Sequence, residues 1–152
     1  MKIGRLIILG VILVGAIGAI VFRDRISGNA SDLAVGDCFE IPSGETVKDV
    51  QHHPCAEPHD AEVLVVAKYE GTDAYPTVSQ FQTWVKQHCV DTNFTEYVGR
   101  SYESSTDLDV GWLSPTEEGW KGGDKEMTCY LTSVAGGMVT SSYRASAASA
   151  AP

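Results

Sequence analysis

The sequence predicts an α+β fold, a small antiparallel sheet of four to five strands with one principal helix and two disulfides, preceded by one transmembrane helix. Three observations lead there. The chain of 152 residues opens with an uncharged apolar run. Beyond it the apolar pattern changes from strand-like to helical and back to strand-like. Four cysteines, Cys38, Cys55, Cys89 and Cys129, all follow the apolar run, and none lies close enough to another to form a C-x-x-C pair.

The run Leu6 to Phe22 holds 17 residues between Lys2 and Arg5 on one side and Arg23 and Arg25 on the other. As a helix it extends about 25 Å at about 1.5 Å per residue. Ile3 and snorkelling Arg5 and Arg23 make up the shortfall against a hydrocarbon core of ~30 Å. A cleavable signal has a shorter apolar centre followed by a small-x-small site. Here Gly15, Ala16, Gly18 and Ala19 lie inside the run, so an uncleaved anchor is expected. The basic flanks tie, but the terminal amine and Asp24 tip the balance toward a cytoplasmic N-terminal tail. The expected organisation is a cytoplasmic tail over 1–5, an anchor over 6–22, a linker over 23–32, an extracytoplasmic domain over 33–143 and a disordered tail over 144–152.

All 20 acidic residues but only eight of the 11 Lys and Arg follow Arg23, a net charge of −12 for that part of the chain. Such a field repels phosphate backbones, so nucleic acid is not an expected partner.

Within the domain, Gly36-Asp37 marks a turn into a short strand at Cys38. Ala61–Glu70, with its β-branched centre, is the strongest strand and belongs in the middle of a sheet. Val78, Phe81, Val85 and Cys89 recur at helical spacing, and Thr77 with Gln80 forms a capping-box pattern, which predicts a helix over about 78–90. "FTEYVG", Phe94 to Gly99, reads as a short second helix closed by its glycine. Leu108, Val110 and Trp112 share one side of a further strand. Pro115 to Asp124 reads as a Gly-rich loop with Trp120 as its one apolar residue. Met127-Cys129-Leu131 and Met138–Tyr143, joined by "AGG", read as a hairpin.

Zinc ribbons and thioredoxin-type sites need close cysteine pairs, so two disulfides are the economical reading of the four cysteines. Three connectivities are open. The sequential one, Cys38 with Cys55 and Cys89 with Cys129, is preferred because it ties an entry strand to the next strand and a helix to a strand. Each bridge contributes about 3–4 kcal/mol in the chain-entropy model.

"PCAEPHDAEV", Pro54 to Val63, gathers a cysteine, a histidine and three carboxylates. A metal-binding reading recruits His59, Asp60 and Glu62, with His52 and His53 nearby, as imidazole and carboxylate ligands. Adjacent residues on a strand point to opposite faces, which splits His59 from Asp60 and His52 from His53. An envelope-hydrolase reading needs a solvent-facing cleft that joins His59 to a polar group of the Pro115–Asp124 loop. The structural reading has Pro54 and Pro58 shape a loop, Cys55 staple it, and His59 or Glu62 cap backbone groups at the start of the next strand. This last reading is preferred, with no catalytic residue, no metal and no cofactor expected. His59, Glu62, Trp120 and Asp124 are the candidate contact residues, Trp120 because a Gly-rich loop leaves it partly exposed.

"VGDCF" at Val35 to Phe39, "PCAEPHDAEV", a helical Cys89, and Pro115, Trp120, Gly123-Asp124 and Cys129 in that order together resemble the septum formation domain family. The resemblance spans roughly residues 33–143. It implies an actinobacterial envelope protein behind a single membrane span, and it favours the sequential disulfides. The expected function is then that of an interaction or scaffold module at the cell membrane, linked to septum formation or wall assembly, with an envelope protein or a wall polymer as partner. The family's usual Arg after Gly-Asp is here Lys125, and no catalytic residue, cofactor or substrate is carried over.

Overall fold

The computed structural model describes residues 27–43 and 49–145. The expected anchor, the cytoplasmic tail, the first four residues of the expected linker and residues 146–152 of the expected tail lie outside them. Among the described residues no helix is long and apolar enough to cross a membrane.

One antiparallel sheet organises the domain. Its strands are β1 (Ser27–Asn29), β2 (Cys38–Glu40), β3 (Asp49–His53), β4 (Ala61–Lys68), β5 (Leu108–Leu113) and β6 (Glu126–Ser133), in the spatial order β1-β3-β2-β4-β6-β5. Five strands come from the region expected to fold. The sixth, β1, comes from the expected linker, where Ser27, Gly28 and Asn29 pair with Gln51, Val50 and Asp49. Three polar residues at a sheet edge carry no apolar alternation, so their backbone pairing leaves no mark in the sequence pattern.

β4 is central, flanked by β2 and β6. Its apolar residues feed two cores, one on each face. Ala61 and Val63 join Leu33, Phe39 and Val50 on one face. Leu64 joins Phe81, Trp84, Cys89, Phe94, Tyr97, Met127, Cys129 and Leu131 on the other. A register shift between Val63 and Val65 resets the alternation, so Val65 follows Leu64 into the second core and Val66 returns to the first. An inserted residue in one strand has this effect because side chains alternate strictly along a pleat.

The second core is closed by a helical rod. Helix α1 (Val78–Val85) starts at the predicted capping box: the Gln80 amide N–H donates to Thr77 Oγ1 at 3.3 Å, and the Thr77 N–H donates to Gln80 Oε1 at 2.9 Å. The helix does not stop near residue 90. It widens into a π-helix over Lys86–Phe94 and returns to α geometry in α2 (Thr95–Val98), capped by Gly99 at φ 79°. Thr92 Oγ1 and Asn93 Nδ2 donate five residues back, to the carbonyls of Gln87 and His88. The wider turn brings Cys89 and Phe94, five apart, onto the same buried face. The two helices expected from sequence are thus one rod.

Four further expectations are corrected. The Pro115–Asp124 loop contains a short helix, α3 (Glu117–Lys121), in which Thr116 Oγ1 accepts the Gly119 N–H at 3.1 Å. Trp120 is 2 % exposed, not a surface residue. Its ring packs edge-on against Tyr69, Tyr75 and Phe81, its Nε1–H donates to the Asp73 carbonyl at 3.0 Å, and Lys125 Nζ lies 3.7 Å from the ring centroid. Nor does Met138–Tyr143 form a hairpin with β6. That strand already has β4 on one side and β5 on the other, so it has no free edge. Gly136 and Gly137, both at positive φ, turn the chain away, and Val139 instead makes an isolated bridge with His59. Arg144 and Ala145, expected in a disordered tail, are docked: the Ala145 N–H donates to the Tyr97 carbonyl and the Arg144 guanidinium lies over the Tyr97 ring.

Gly111 on β5 sits directly opposite Tyr130 on β6, and a Cβ there would enter the space of the Tyr130 ring, which also meets Phe39 edge-on. Gly111→Ala is expected to cost about 1–3 kcal/mol in urea unfolding through this overpacking. The cost should shrink in a Tyr130→Ala background, since the two positions share one volume.

Candidate functional site

The residues singled out in sequence converge where β4 begins. The Cys38–Cys55 disulfide joins β2 to the loop before β4, with Cα atoms 5.3 Å apart, and Cys89–Cys129 joins the helical rod to β6 at 6.3 Å. Both pairs are the sequential ones, and no cysteine is free.

Beside the first bridge lie His59 and Glu62, 0 % and 1 % exposed. Glu62 stands on the helix-facing side of β4 and meets three donors. Its Oε1 accepts the Tyr97 hydroxyl and the Ser142 hydroxyl, each at 2.6 Å, and its Oε2 accepts the Tyr143 N–H at 2.6 Å. A buried carboxylate requires such partners because desolvation penalises it heavily otherwise. Burial, first, and the hydrogen bond to Glu62, second, push the Tyr97 hydroxyl well above the usual tyrosine range. Tyr143 is raised by its own burial and by the nearby Glu62 charge.

His59 is held by its backbone and one ring nitrogen. Its N–H donates to the Val139 carbonyl at 3.0 Å, its carbonyl accepts the Val139 N–H at 2.7 Å, and Nδ1 lies 2.8 Å from the Glu57 carbonyl. A carbonyl only accepts, so Nδ1 carries a proton, and in the neutral imidazole the lone pair is on Nε2.

The other candidates are dispersed. Asp60 points away from this corner, its Oδ1 accepting the Ile41 N–H at 2.6 Å. His52 lies 3.7 Å from Asp37, and His53 lies 3.2 Å from Glu40 and 3.9 Å from Glu57. The His59/Asp60/Glu62 ligand trio is therefore not assembled; instead His59 and Glu62 share their corner with the two bridge sulfurs. Asp124 is exposed and forms a turn, accepting the Glu126 N–H at 3.0 Å. Trp120, one of the candidate contacts, is buried against Tyr69 at the far end of β4. A strand rise of about 3.3 Å per residue puts His59 roughly 30 Å along the chain from Tyr69. The cleft required by the hydrolase reading, His59 beside the Pro115–Asp124 loop, is not formed.

Two surface grooves are lined largely by other residues. One of about 580 Å³ runs between the end of β4 and α1, lined by Tyr69, Ser79, Thr83, Trp84 and His88. Another of about 490 Å³ is lined by Val35, Val66, Asn93, Tyr97 and Arg144.

Sequence reasoning missed Tyr97, Ser142 and Tyr143 as partners of this corner. The available signal was Glu62 itself, an acid next to the apolar run Val63–Val66, which has to find donors if its strand is central.

Tyr97→Phe leaves the Glu62 carboxylate one donor short and is expected to cost about 1.5–3 kcal/mol in urea unfolding, in the range of hydrogen bonds to charged groups. Because the folded chain holds the Tyr97 proton more tightly than the unfolded chain, this stabilisation is complete below the ordinary tyrosine value of 10.0 and is lost as pH rises above it. Thermal melts across that alkaline range should fall steeply for the unaltered protein and less steeply for Tyr97→Phe.

Residues 35–151 match the family model described as septum formation. No curated protein and no solved structure matches the chain.

Proposed function

Since the chain belongs to the septum formation family, we propose that it is a division-associated protein of an actinobacterial cell envelope, whose disulfide-stapled domain acts outside the cytoplasm as an interaction or scaffold module. In this reading the apolar run Leu6 to Phe22 anchors the chain in the cell membrane, and the domain beyond it engages an envelope protein or a wall polymer.

The observation that carries the reading is the pairing of all four cysteines into two bridges. Disulfides persist in oxidising compartments, and small exported domains rely on them where the core is limited. The uncharged run of 17 residues ahead of the domain supports anchoring, and the strongly acidic domain disfavours anionic partners. Of the four contact candidates, Asp124 is the exposed one. Val134 and Met138, on the turn that follows β6, are exposed as well.

The full chain with a C-terminal epitope tests this in intact, wall-digested cells. Added protease should remove the epitope without lysis, alkylation before reduction should leave all four cysteines unmodified, and immunofluorescence should concentrate at the septum. A protected epitope with free thiols would overturn the export, and uniform labelling of the cell would overturn the link to division.

A further inference from the structure

The corner where β4 begins holds one donor atom each from Cys38, Cys55, His59 and Glu62, all within 4.8 Å of one another. His59 Nε2 is buried and has no hydrogen-bond partner among the described residues. A polar atom in that position is normally paired. The Nδ1 contact with the Glu57 carbonyl orients the ring and, in the neutral imidazole, selects the tautomer whose free donor atom is Nε2. Metal-ligating histidines are oriented by the same kind of contact. Glu62 Oε1 has both lone pairs occupied by Tyr97 and Ser142, whereas Oε2 accepts one bond, from Tyr143, and keeps one lone pair.

In the bridged state the two sulfurs are bonded to each other and are poor ligands. Reduction changes their chemistry and leaves the other two donors in place. We propose that reduction of Cys38–Cys55 converts this corner into a binding site for a zinc-class divalent cation, held by the Cys38 and Cys55 thiolates, His59 Nε2 and the Glu62 carboxylate. A dithiol supplies the electrons. One of its thiolates attacks the partly exposed Cys55 sulfur and expels Cys38 as a thiolate. Its second thiol then displaces Cys55 and closes the reductant's own disulfide, so two electrons have passed. The two cysteine thiols release two protons as the cation binds.

Two sulfurs, one nitrogen and one oxygen form a donor set that suits tetrahedral zinc. Zinc–sulfur bonds of about 2.3 Å and zinc–nitrogen bonds of about 2.0 Å place neighbouring donors roughly 3.3–3.8 Å apart, a contraction of about 1 Å from the widest separation here once the sulfurs part. The second bridge offers an internal control. Cys89 and Cys129 lie in the apolar core among Val85, Phe94, Met127 and Leu131, and among the described residues neither belongs to a donor group of this kind.

The test uses the purified full-length chain in detergent, bridged or reduced with a dithiol and desalted without oxygen, then given Zn²⁺ alone. One zinc per chain is expected after reduction and none before it. Zinc should protect Cys38 and Cys55 from alkylation, but not Cys89 and Cys129, and reoxidation should release it. His59→Ala should weaken binding by at least about tenfold, the lower range for disturbing a metal's ligand shell. Zinc uptake by the bridged protein, no uptake after reduction, or protection spread evenly over four thiols would each overturn the proposal. The alkylation map is read on the unaltered chain, so it decides the matter even if His59→Ala does not fold.

Discussion

A carboxylate buried at the start of the central strand must be met by donors, and the domain is arranged around meeting that demand. Glu62 sits on β4 between β2 and β6, where its backbone is committed to the sheet. Its side chain reaches the last turn of the helical rod through Tyr97 and the chain after β6 through Ser142 and Tyr143. Three parts of the chain, separated by 35, 80 and 81 residues from Glu62 in sequence, thus converge on one charge. Loss of any donor would leave charge buried without full compensation, which ties the positions of the rod and the C-terminal segment to the sheet.

The disulfides work in the same direction from two other points. Cys38–Cys55 fixes the loop that delivers His59, and Cys89–Cys129 pins the π-helical stretch of the rod to β6. The bulge in β4 lets neighbouring residues Leu64 and Val65 both enter the helix-side core while Val63 and Val66 face the other. Without it strict alternation would send Val65 to the Val63 side and Val66 to the helix side.

Elements with strong local signals were legible in the sequence. The β-branched run from Val63 to Val66 read as a central strand, Thr77 and Gln80 as a helix start, and Gly99 as a helix end, because each depends on residues within a few positions of one another. The family was legible too, from motifs spread across the domain. The misreadings share a cause. The paired strand at Ser27–Asn29, the buried Trp120 and the missing hairpin after β6 each depend on what lies beside the segment in space. A Gly-rich stretch looks open until Tyr69, Tyr75 and Phe81 close over its tryptophan.

The candidate site divides along the same line. The sequence by itself determined which residue types are present at the corner, that the cysteines are suited to pairing, and that His59 and Asp60 would diverge on a strand. Tertiary structure alone decided that Glu62 faces Tyr97, Ser142 and Tyr143, that Asp60 turns to Ile41, and that His59 Nε2 ends beside the Cys38–Cys55 bridge without a partner among the described residues. Local alternation dictates which side of a strand a residue takes, but the groups waiting on that side come from distant parts of the chain, and only the folded packing brings them there.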